Sequence, residues 1–520
     1  MVALVLVVFG LMACGRPAQE RESKPPTPTD HSDPVQMQVE TPLPTVTAVG
    51  EAPPAPIVSP SPAFPGSYMG APTPNPTPQG YERRTAVESY VVQRGQTLSA
   101  IALVFGCTVD EIVAANGLRD ADSVSAGQTI VIPVSATQEG PTLKLVPDSE
   151  VVYGPAYIHF DTKRTVLAQG GYLADYTETV EAQLLSGAEI VQLVAERFSV
   201  GPRVLLTLIE MGSGWVTRPD TAVDTLAFPV GYAQDGYTGL YRQLSWAAVQ
   251  LNNGYYGWKW ASSTTMHLAD GTRVAMAPGI NPGTAGVQNC LAGVSGSWDE
   301  WVAAVGSSGF AAAYQRLFGN PFAYRVEPLI PADLTQPEMK LPWEAGRTWY
   351  LTSGPHGGWA NDAAVAAIDF APSEEHLGCQ PSADWTTAAA AGLVVRAEEG
   401  QVVLDLDGDG FEQSGWVLLY LHIDSAGRVE AGATLQQGQR IGHPSCEGGY
   451  SEATHLHFAR RYNGEWIPAG SGPWPMTLSG WVVQDGGAAY EGAMVRDSAV
   501  RTACECWDDQ YNGLRSDNAP

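Results

Sequence analysis

The pattern of apolar and polar positions changes character along the chain, and the first patterned segment is 88–134. Its predicted elements are a strand at 90–93, a helix starting at 98, a second helix at 110–116 and a closing strand at 127–133. Thr97 stands where a side chain can cap the first helix. The segment is expected to form a small βααβ module.

Residues 141–340 show apolar residues at three- and four-residue spacing, which predicts a mainly helical domain. The strongest helical stretches are 184–198, 202–211 and 240–251. Gly201 and Pro202 separate the first two, since proline favours the first turn of a helix.

From 341 to 485 the pattern switches to short apolar runs broken by Gly and Asp, which predicts a mainly β domain. Strand candidates are 393–397, 401–406, 416–423 and 455–460. Residues 486–520 carry no comparable pattern and are expected to be a C-terminal tail.

The N-terminal residues predict export. Residues 2–11 are almost purely apolar but too few to span a bilayer as a mature helix. The run ends in Leu-Met-Ala-Cys-Gly at 11–15, which resembles the lipobox of bacterial lipoproteins. That resemblance implies a signal peptide at 1–14 and a lipid anchor to the membrane at Cys14. An ordinary secretion signal with a chance cysteine is the alternative. Residues 15–87 are rich in Pro and Thr and are expected to be a disordered stalk.

The composition of the chain limits the classes of molecule that it can bind by electrostatic attraction. The 520 residues include 28 Lys and Arg against 55 Asp and Glu, so the formal net charge is −27. This charge argues against nucleic acid and against anionic lipid headgroups as electrostatic partners. Six of the seven cysteines remain when Cys14 is set aside, an even number that permits disulfides in an exported protein. Cys379 and Cys446 fall in one predicted domain and form the best candidate pair.

The chemistry-bearing residues cluster in the predicted β domain. His455 and His457 are two residues apart in a strand candidate and therefore share one face. His356 lies in a glycine-rich loop, Asp369 lies inside an apolar strand, and His422 ends another apolar strand. Imidazoles with a carboxylate suit Zn²⁺, and three protein ligands would leave one position open for water.

Two family resemblances follow from these motifs. Segment 88–134, with Tyr-x-Val-x-x-Gly-x-Thr-Leu, Asn-Gly-Leu and Gly-Gln-x-Ile-x-Ile-Pro, resembles a LysM module, which binds the glycan strands of peptidoglycan. Segment 341–485 resembles the lysostaphin-type zinc endopeptidases that cut peptide cross-links of peptidoglycan. The second resemblance implies His356, Asp369 and His457 as zinc ligands, with His422 and His455 as the catalytic, non-ligand histidines. The common family form separates its first His and Asp by three residues, whereas 356 and 369 lie much further apart.

The segment 204–215 faintly resembles the helix-to-loop segment of lysozyme-like transglycosylases. In that family a catalytic Glu directly precedes Ser-Gly, but here Gly212 occupies that place and Glu210 stands two residues earlier. Glycan cleavage needs a carboxylic acid beside the leaving oxygen. The resemblance therefore favours a degenerate lysozyme-like domain over an active one.

Asp405, Asp407 and Asp409 alternate in a Gly-rich stretch that resembles the start of a calcium loop. Trp416 stands where the bidentate Glu of such a loop is expected. A hairpin turn and a weak Ca²⁺ site are both compatible with this pattern.

These features lead to one main expectation, a wall-bound, lipid-anchored zinc endopeptidase held on peptidoglycan by its LysM module. A catalytically inactive peptidoglycan-binding scaffold or activator is the first alternative. A glycan-binding lipoprotein with a structural zinc is the second, and it would need no proton-transferring histidines.

Overall fold

The structure is a computed structural model, and it describes residues 88–517 except 94–95, 106, 108, 122, 134–137, 261, 361 and 374–377. The expected signal peptide, Cys14 and the 15–87 stalk lie outside these residues. Within the described part, no helix has both the length and the apolar content needed to cross a membrane.

The first folded unit confirms the expected βααβ order. Its elements are β1 Glu88–Val91, α1 Leu98–Phe105, α2 Val109–Asn116 and β2 Thr129–Ile132. Strands β1 and β2 pair antiparallel and the unit has its own small apolar core. The side chain of Asn116 exchanges two hydrogen bonds with the backbone of Val131 and so ties α2 to β2.

The central region is mainly helical, as the apolar spacing predicts. Its helices are α3 Asp148–Val151, α4 Thr162–Gln169, α5 Gly187–Phe198, α6 Pro202–Gly212, α7 Leu240–Lys259, α8 Pro282–Ala292, α9 Trp298–Ala304 and α10 Phe310–Phe318. Its short strands are β3 Gln138–Glu139, β4 Thr177–Val180, β5 Gln183–Ser186, β6 Thr265–His267 and β7 Arg273–Ala275.

One helix boundary differs from the prediction. The apolar spacing extends back to Leu184, but that residue lies in β5 and is 71% exposed. Helix α5 begins at Gly187 because Ser186 and Glu189 form a capping box, each side chain accepting from the other's backbone N–H. A second boundary also differs: helix α7 runs on to Lys259, beyond the predicted end at 251.

The C-terminal region is mainly β. Its strands are β8 Thr348–His356, β9 Ala367–Ala371, β10 Thr386–Thr387, β11 Gly392–Glu398, β12 Gln401–Asp405, β13 Trp416–Leu421, β14 Thr434–Leu435, β15 Arg440–Gly442, β16 Leu456–Tyr462, β17 Glu465–Trp466, β18 Thr477–Leu478, β19 Trp481–Asp485, β20 Gly492–Arg496, β21 Ala499–Thr502 and β22 Gly513–Arg515. Nine of them form one antiparallel sheet in the order β14-β11-β12-β13-β16-β9-β8-β22, with β17 beside β16. All four predicted strands are present within this sheet.

The expected tail at 486–520 is wrong for the described residues 486–517. Strands β20 and β21 extend a four-stranded sheet begun by β18 and β19, and β22 pairs with β8. The prediction failed because these strands are short, and β22 is stabilised by a partner that is distant in sequence.

Candidate metal centre

Three neighbouring strands of the large sheet carry the residues of the candidate site. His356 ends β8, Asp369 lies in β9 and His457 lies in β16. In the register between β9 and β16, His457 stands directly opposite Asp369, and β8 is the next strand beyond β9. Side chains opposite each other on adjacent strands share a face, so the sheet brings the three together.

The three side chains meet through one atom each. Oδ1 of Asp369 lies 3.3 Å from Nε2 of His356 and 3.1 Å from Nδ1 of His457. The two ring nitrogens lie 3.0 Å apart. All three residues are buried, and their ligand-type atoms fall within 4.8 Å of one another.

The outer ring nitrogens are held by backbone carbonyls. Nδ1 of His356 lies 2.9 Å from the carbonyl of Gly354, and Nε2 of His457 lies 2.9 Å from the carbonyl of Gly358. Because a carbonyl only accepts, each of these nitrogens donates a hydrogen, and in the neutral form of each ring the inner nitrogen is then bare. Two bare nitrogens and a carboxylate oxygen facing each other suit a cation, and histidines that bind zinc commonly donate their other ring N–H to a carbonyl in this way. The residues present therefore fit a zinc ion.

The electrostatics of the cluster depend on the central carboxylate. Burial alone would raise the pKa of Asp369, but His356 and His455 outweigh it and hold that pKa well below its usual range. Burial likewise opposes charging of His356, yet the Asp369 carboxylate raises the pKa of this ring. For His457 burial dominates and lowers the pKa. A buried carboxylate thus persists in its charged form, as a metal ligand requires.

The two remaining histidines flank this group. His455 is partly exposed, with 19% of its side chain accessible, and its Nε2 lies 3.8 Å from Oδ1 of Asp369. The ring of His422 lies 4.5 Å from that of His455, measured between centroids. Neither ring is among the three groups that converge on one point, so both stay available for proton transfer.

Backbone carbonyls also fix the tautomers of these two rings. Nδ1 of His455 lies 2.8 Å from the carbonyl of Ala453, and Nδ1 of His422 lies 3.2 Å from the carbonyl of Glu447. Each Nδ1 therefore donates, which leaves Nε2 as the proton acceptor. Burial, then the neighbouring His455 and His457, lowers the pKa of His422 to about 3, so the ring stays neutral near pH 7. His422 also has a φ of +68°, an uncommon backbone conformation that is typical of functional sites.

The other predicted site residues are not among the converging groups. The structure joins Cys379 to Cys446 in a disulfide, and it joins Cys504 to Cys506 in a second one. Glu210 accepts hydrogen bonds from the backbone and hydroxyl of Thr217, so its carboxylate fastens the loop after α6.

The calcium interpretation of the 405–409 stretch gains no support. Oδ1 of Asp405 accepts from the backbone N–H of Asp407 and Gly408, and Oδ2 accepts from that of Gly410. Asp409 accepts from the hydroxyl of Ser414. These carboxylates therefore stabilise the turn that follows β12, in agreement with the hairpin alternative.

Two contributors to the site were not found from sequence. Gly358 supplies the carbonyl that holds His457, and the ring of Tyr490 stacks on His356 at 4.6 Å between centroids. The Gly-Gly pair at 357–358 was a visible signal of a close backbone approach. No local signal marks Tyr490, because its contact with His356 joins segments that are distant in sequence.

Comparison with family models separates the chain into the same three parts. Residues 90–133 match the LysM domain, 144–332 match the N-terminal domain of LasA, and 376–468 match Peptidase family M23. The chain therefore contains one segment similar to a LysM domain and one similar to an M23 peptidase domain. The M23 match includes His422, His455 and His457 and begins after His356 and Asp369. The central region is thus similar to LasA, and a lysozyme-like fold is not shown.

Individual proteins are also similar to parts of this chain. Protease LasA from two strains of Pseudomonas aeruginosa, UCBPP-PA14 and PAO1, is 29% identical over 291 residues, which is 52% of this chain and 65% of LasA. The chain therefore spans about 65% of the length of these relatives. N-acetylmuramoyl-L-alanine amidase XlyA of Bacillus subtilis is 34% identical over 61 residues, 12% of this chain and 20% of that protein. A solved M23 metalloprotease, pseudoalterin from the deep sea, is 23% identical and covers 35% of this chain and 99% of its own, with a TM-score of 0.28.

Proposed function

We propose that this protein is a zinc-dependent endopeptidase that hydrolyses peptide cross-links of peptidoglycan, with His356, Asp369 and His457 as the zinc ligands. The observation that carries the proposal is the convergence of two bare imidazole nitrogens on one buried carboxylate oxygen. The M23 match supports the reaction class, and the similarity to LasA supports a peptidase.

When bound, zinc would lower the pKa of a coordinated water and polarise the scissile carbonyl. The protein's own residues then have distinct tasks. His455 and His422 present Nε2 as acceptors beside the cluster, so each can accept a proton from a nearby water, and only a ring that has gained that proton can then donate to a developing oxyanion. Gly354 and Gly358 keep the two ligand rings in the tautomer that leaves the inner nitrogens bare.

The LysM domain would hold the enzyme on its substrate. A module that binds glycan strands raises the local concentration of the peptidase at the wall. Acylation at Cys14 would add a membrane anchor, so the proposed location is the cell envelope, outside the cytoplasm. The partners are therefore peptidoglycan and, through the anchor, the membrane.

The deciding experiment combines metal analysis with digestion. The purified full chain is expected to contain about one zinc per molecule and to release cross-link peptides from purified cell walls, with product masses identifying the bond that is cut. Asp369→Ala should lose both zinc and release. A wild-type chain that binds walls and zinc but releases no peptide would contradict the enzyme and favour a non-catalytic scaffold.

A further inference from the structure

The segment 357–366, which connects the ligands His356 and Asp369, packs on the central region as well as on the peptidase domain. Its described residues are 357–360 and 362–366. The ring of Trp359 lies 6.5 Å from that of Phe198 and 5.1 Å from the guanidinium of Arg197. Both partners come from the end of α5 in the central region.

Helix α7 of the central region contacts the same segment with two consecutive side chains. Asn252, which is 2% exposed, donates through Nδ2 to Oδ2 of Asp362 at 2.9 Å and to the carbonyl of Phe198 at 3.0 Å. Oδ1 of Asn253 accepts from the backbone N–H of Ala363 at 2.9 Å. The segment is thus bound to α7 by a partly buried side-chain bridge and by a backbone contact.

Trp466 extends this connection toward the metal centre. Its indole N–H donates to the carbonyl of Phe198 at 3.1 Å, and its backbone N–H donates to the hydroxyl of Tyr256 at 2.8 Å. The indole also lies so close to Gly358 that a Cβ there would stand 2.6 Å from the ring. The carbonyl of that same glycine accepts from His457. A continuous series of contacts therefore joins α5 and α7 to a zinc ligand.

The segment is not in a conformation that it would adopt alone. Val365 has a φ of +39°, which is costly for a β-branched residue and persists only when the surroundings enforce it. Its carbonyl accepts from Ala469 in the peptidase domain at 2.9 Å. The peptidase domain and α7 hold this segment from two sides.

We propose that the central region is part of the scaffold of the metal centre, and that Asn252 is a positioning residue for the His356 and His457 ligands. The proposal rests on the proposed zinc site. It assigns the central region a task that a spacer between modules would not have. Without the Asn252 bridge, Oδ2 of Asp362 loses its Asn252 donor, and the segment that supplies the Gly358 carbonyl loses one of its two side-chain contacts with α7.

The test measures metal binding by the full chain, with zinc alone as the probe. Apparent zinc affinity is obtained by competition with a chromophoric chelator, and the ligand geometry is followed by the visible spectrum of the Co²⁺-loaded protein. Asn252→Ala and the near-isosteric Asp362→Asn should each weaken zinc binding by ~10-fold to ~100-fold and change the cobalt spectrum. The double variant should lose less zinc-binding free energy than the two single variants lose together, because both substitutions remove the same bridge.

The chain offers a matched control in Asn281. Its Nδ2 also bridges a backbone carbonyl and an aspartate, those of Val146 and Asp148, but it lies wholly within the central region. Asn281→Ala should lower the unfolding temperature while zinc affinity and the cobalt spectrum stay as in the wild type. Wild-type affinity and spectrum in both Asn252→Ala and Asp362→Asn would overturn the positioning role. A wild-type chain that binds no zinc would overturn the proposed function, and the positioning role with it.

Discussion

The carbonyl of Gly358 and the imidazole of His457 are joined by a 2.9 Å hydrogen bond, although 99 residues separate them in sequence. This bond sets the tautomer of the neutral ring and leaves Nδ1 free to act as the proposed metal ligand. A glycine is needed at 358 because the indole of Trp466 occupies the space where a side chain would begin. The structure therefore links a tight packing contact to the identity of a ligand atom.

Gly358→Ala should disrupt this bond. The added methyl would overlap Trp466, so the backbone must shift and His457 loses its acceptor. We expect zinc affinity to fall by about 10-fold or more, measured by chelator competition on the full chain. Gly296→Ala is the control, because its Cβ would meet only the end of the Glu300 side chain at 3.3 Å. Equal affinities of the two variants would contradict the role of this carbonyl.

His422→Ala and His455→Ala should each abolish most of the peptide release while leaving zinc binding intact. Neither residue contributes one of the three converging atoms, so both variants are expected to retain about one zinc per chain. Release of cross-link peptides should fall by about 100-fold or more in each, because a positioned proton-transfer group is removed. His443→Ala, whose ring packs on Trp385, is the control and should release peptides at the wild-type rate. Undiminished release by both site variants would refute their catalytic assignment.

Glu412 should make stability depend on pH. Its Oε2 accepts from Arg396 at 2.9 Å and from Arg461 at 2.7 Å. Burial would raise the pKa of Glu412, but the two guanidinium groups outweigh it and lower that pKa. The stabilisation is therefore fully present above the unfolded-state value near 4.5 and is lost as the pH falls through the lower folded-state value.

Glu412→Gln should thus cost about 3–5 kcal/mol at pH 7, since it removes the counter-ion that two buried guanidinium groups share and leaves Arg396 only the more distant Glu196 at 4.0 Å. The difference from the wild type should shrink progressively below pH 4.5. Urea unfolding between pH 7 and pH 3 measures this, while Glu344→Gln, which removes a more exposed partner of Arg440, should cost about 0–1 kcal/mol. A difference independent of pH would argue against a charged Glu412.

The two disulfides should differ in their effect on stability. Cys379 and Cys446 close a loop of 67 residues, whereas Cys504 and Cys506 are only two apart. Replacing the first pair by serine should lower the free energy of unfolding by about 2–4 kcal/mol, because a long loop gains much entropy when released. Replacing the second pair should have a much smaller effect. Equal losses in a denaturant titration would contradict the loop-entropy explanation.

Removal of 88–133 should affect targeting without affecting the reaction itself. The LysM core is separate from the cores of the other two parts, so the remaining chain keeps its own packing. Sedimentation with insoluble walls should fall at least ~10-fold, while cleavage of a soluble cross-link peptide should be unchanged. Equal loss of both would show that the module contributes to the active site.

The strands that carry the site residues were predictable from the sequence, but the pairing between those strands was not. The apolar run around His457 and the acid inside the run around Asp369 both indicate buried strands, and both are strands. That these two residues stand opposite each other depends on a register between distant segments, which no local pattern contains. The family resemblance supplied the proposed ligand set, whereas the contact of segment 357–366 with α7 depends on tertiary packing alone.

The pairing of β22 with β8 has a consequence for the order of folding. His356 ends a strand whose outer edge is covered by 513–515, so almost the whole peptidase domain must be synthesised before that edge is closed. Pairing across such a separation is slow, because the loop-closure entropy is spent before the contacts form. A newly made chain therefore carries the proposed first ligand on an unfinished sheet edge until 513–515 have been made, and this sheet is completed only near the end of synthesis.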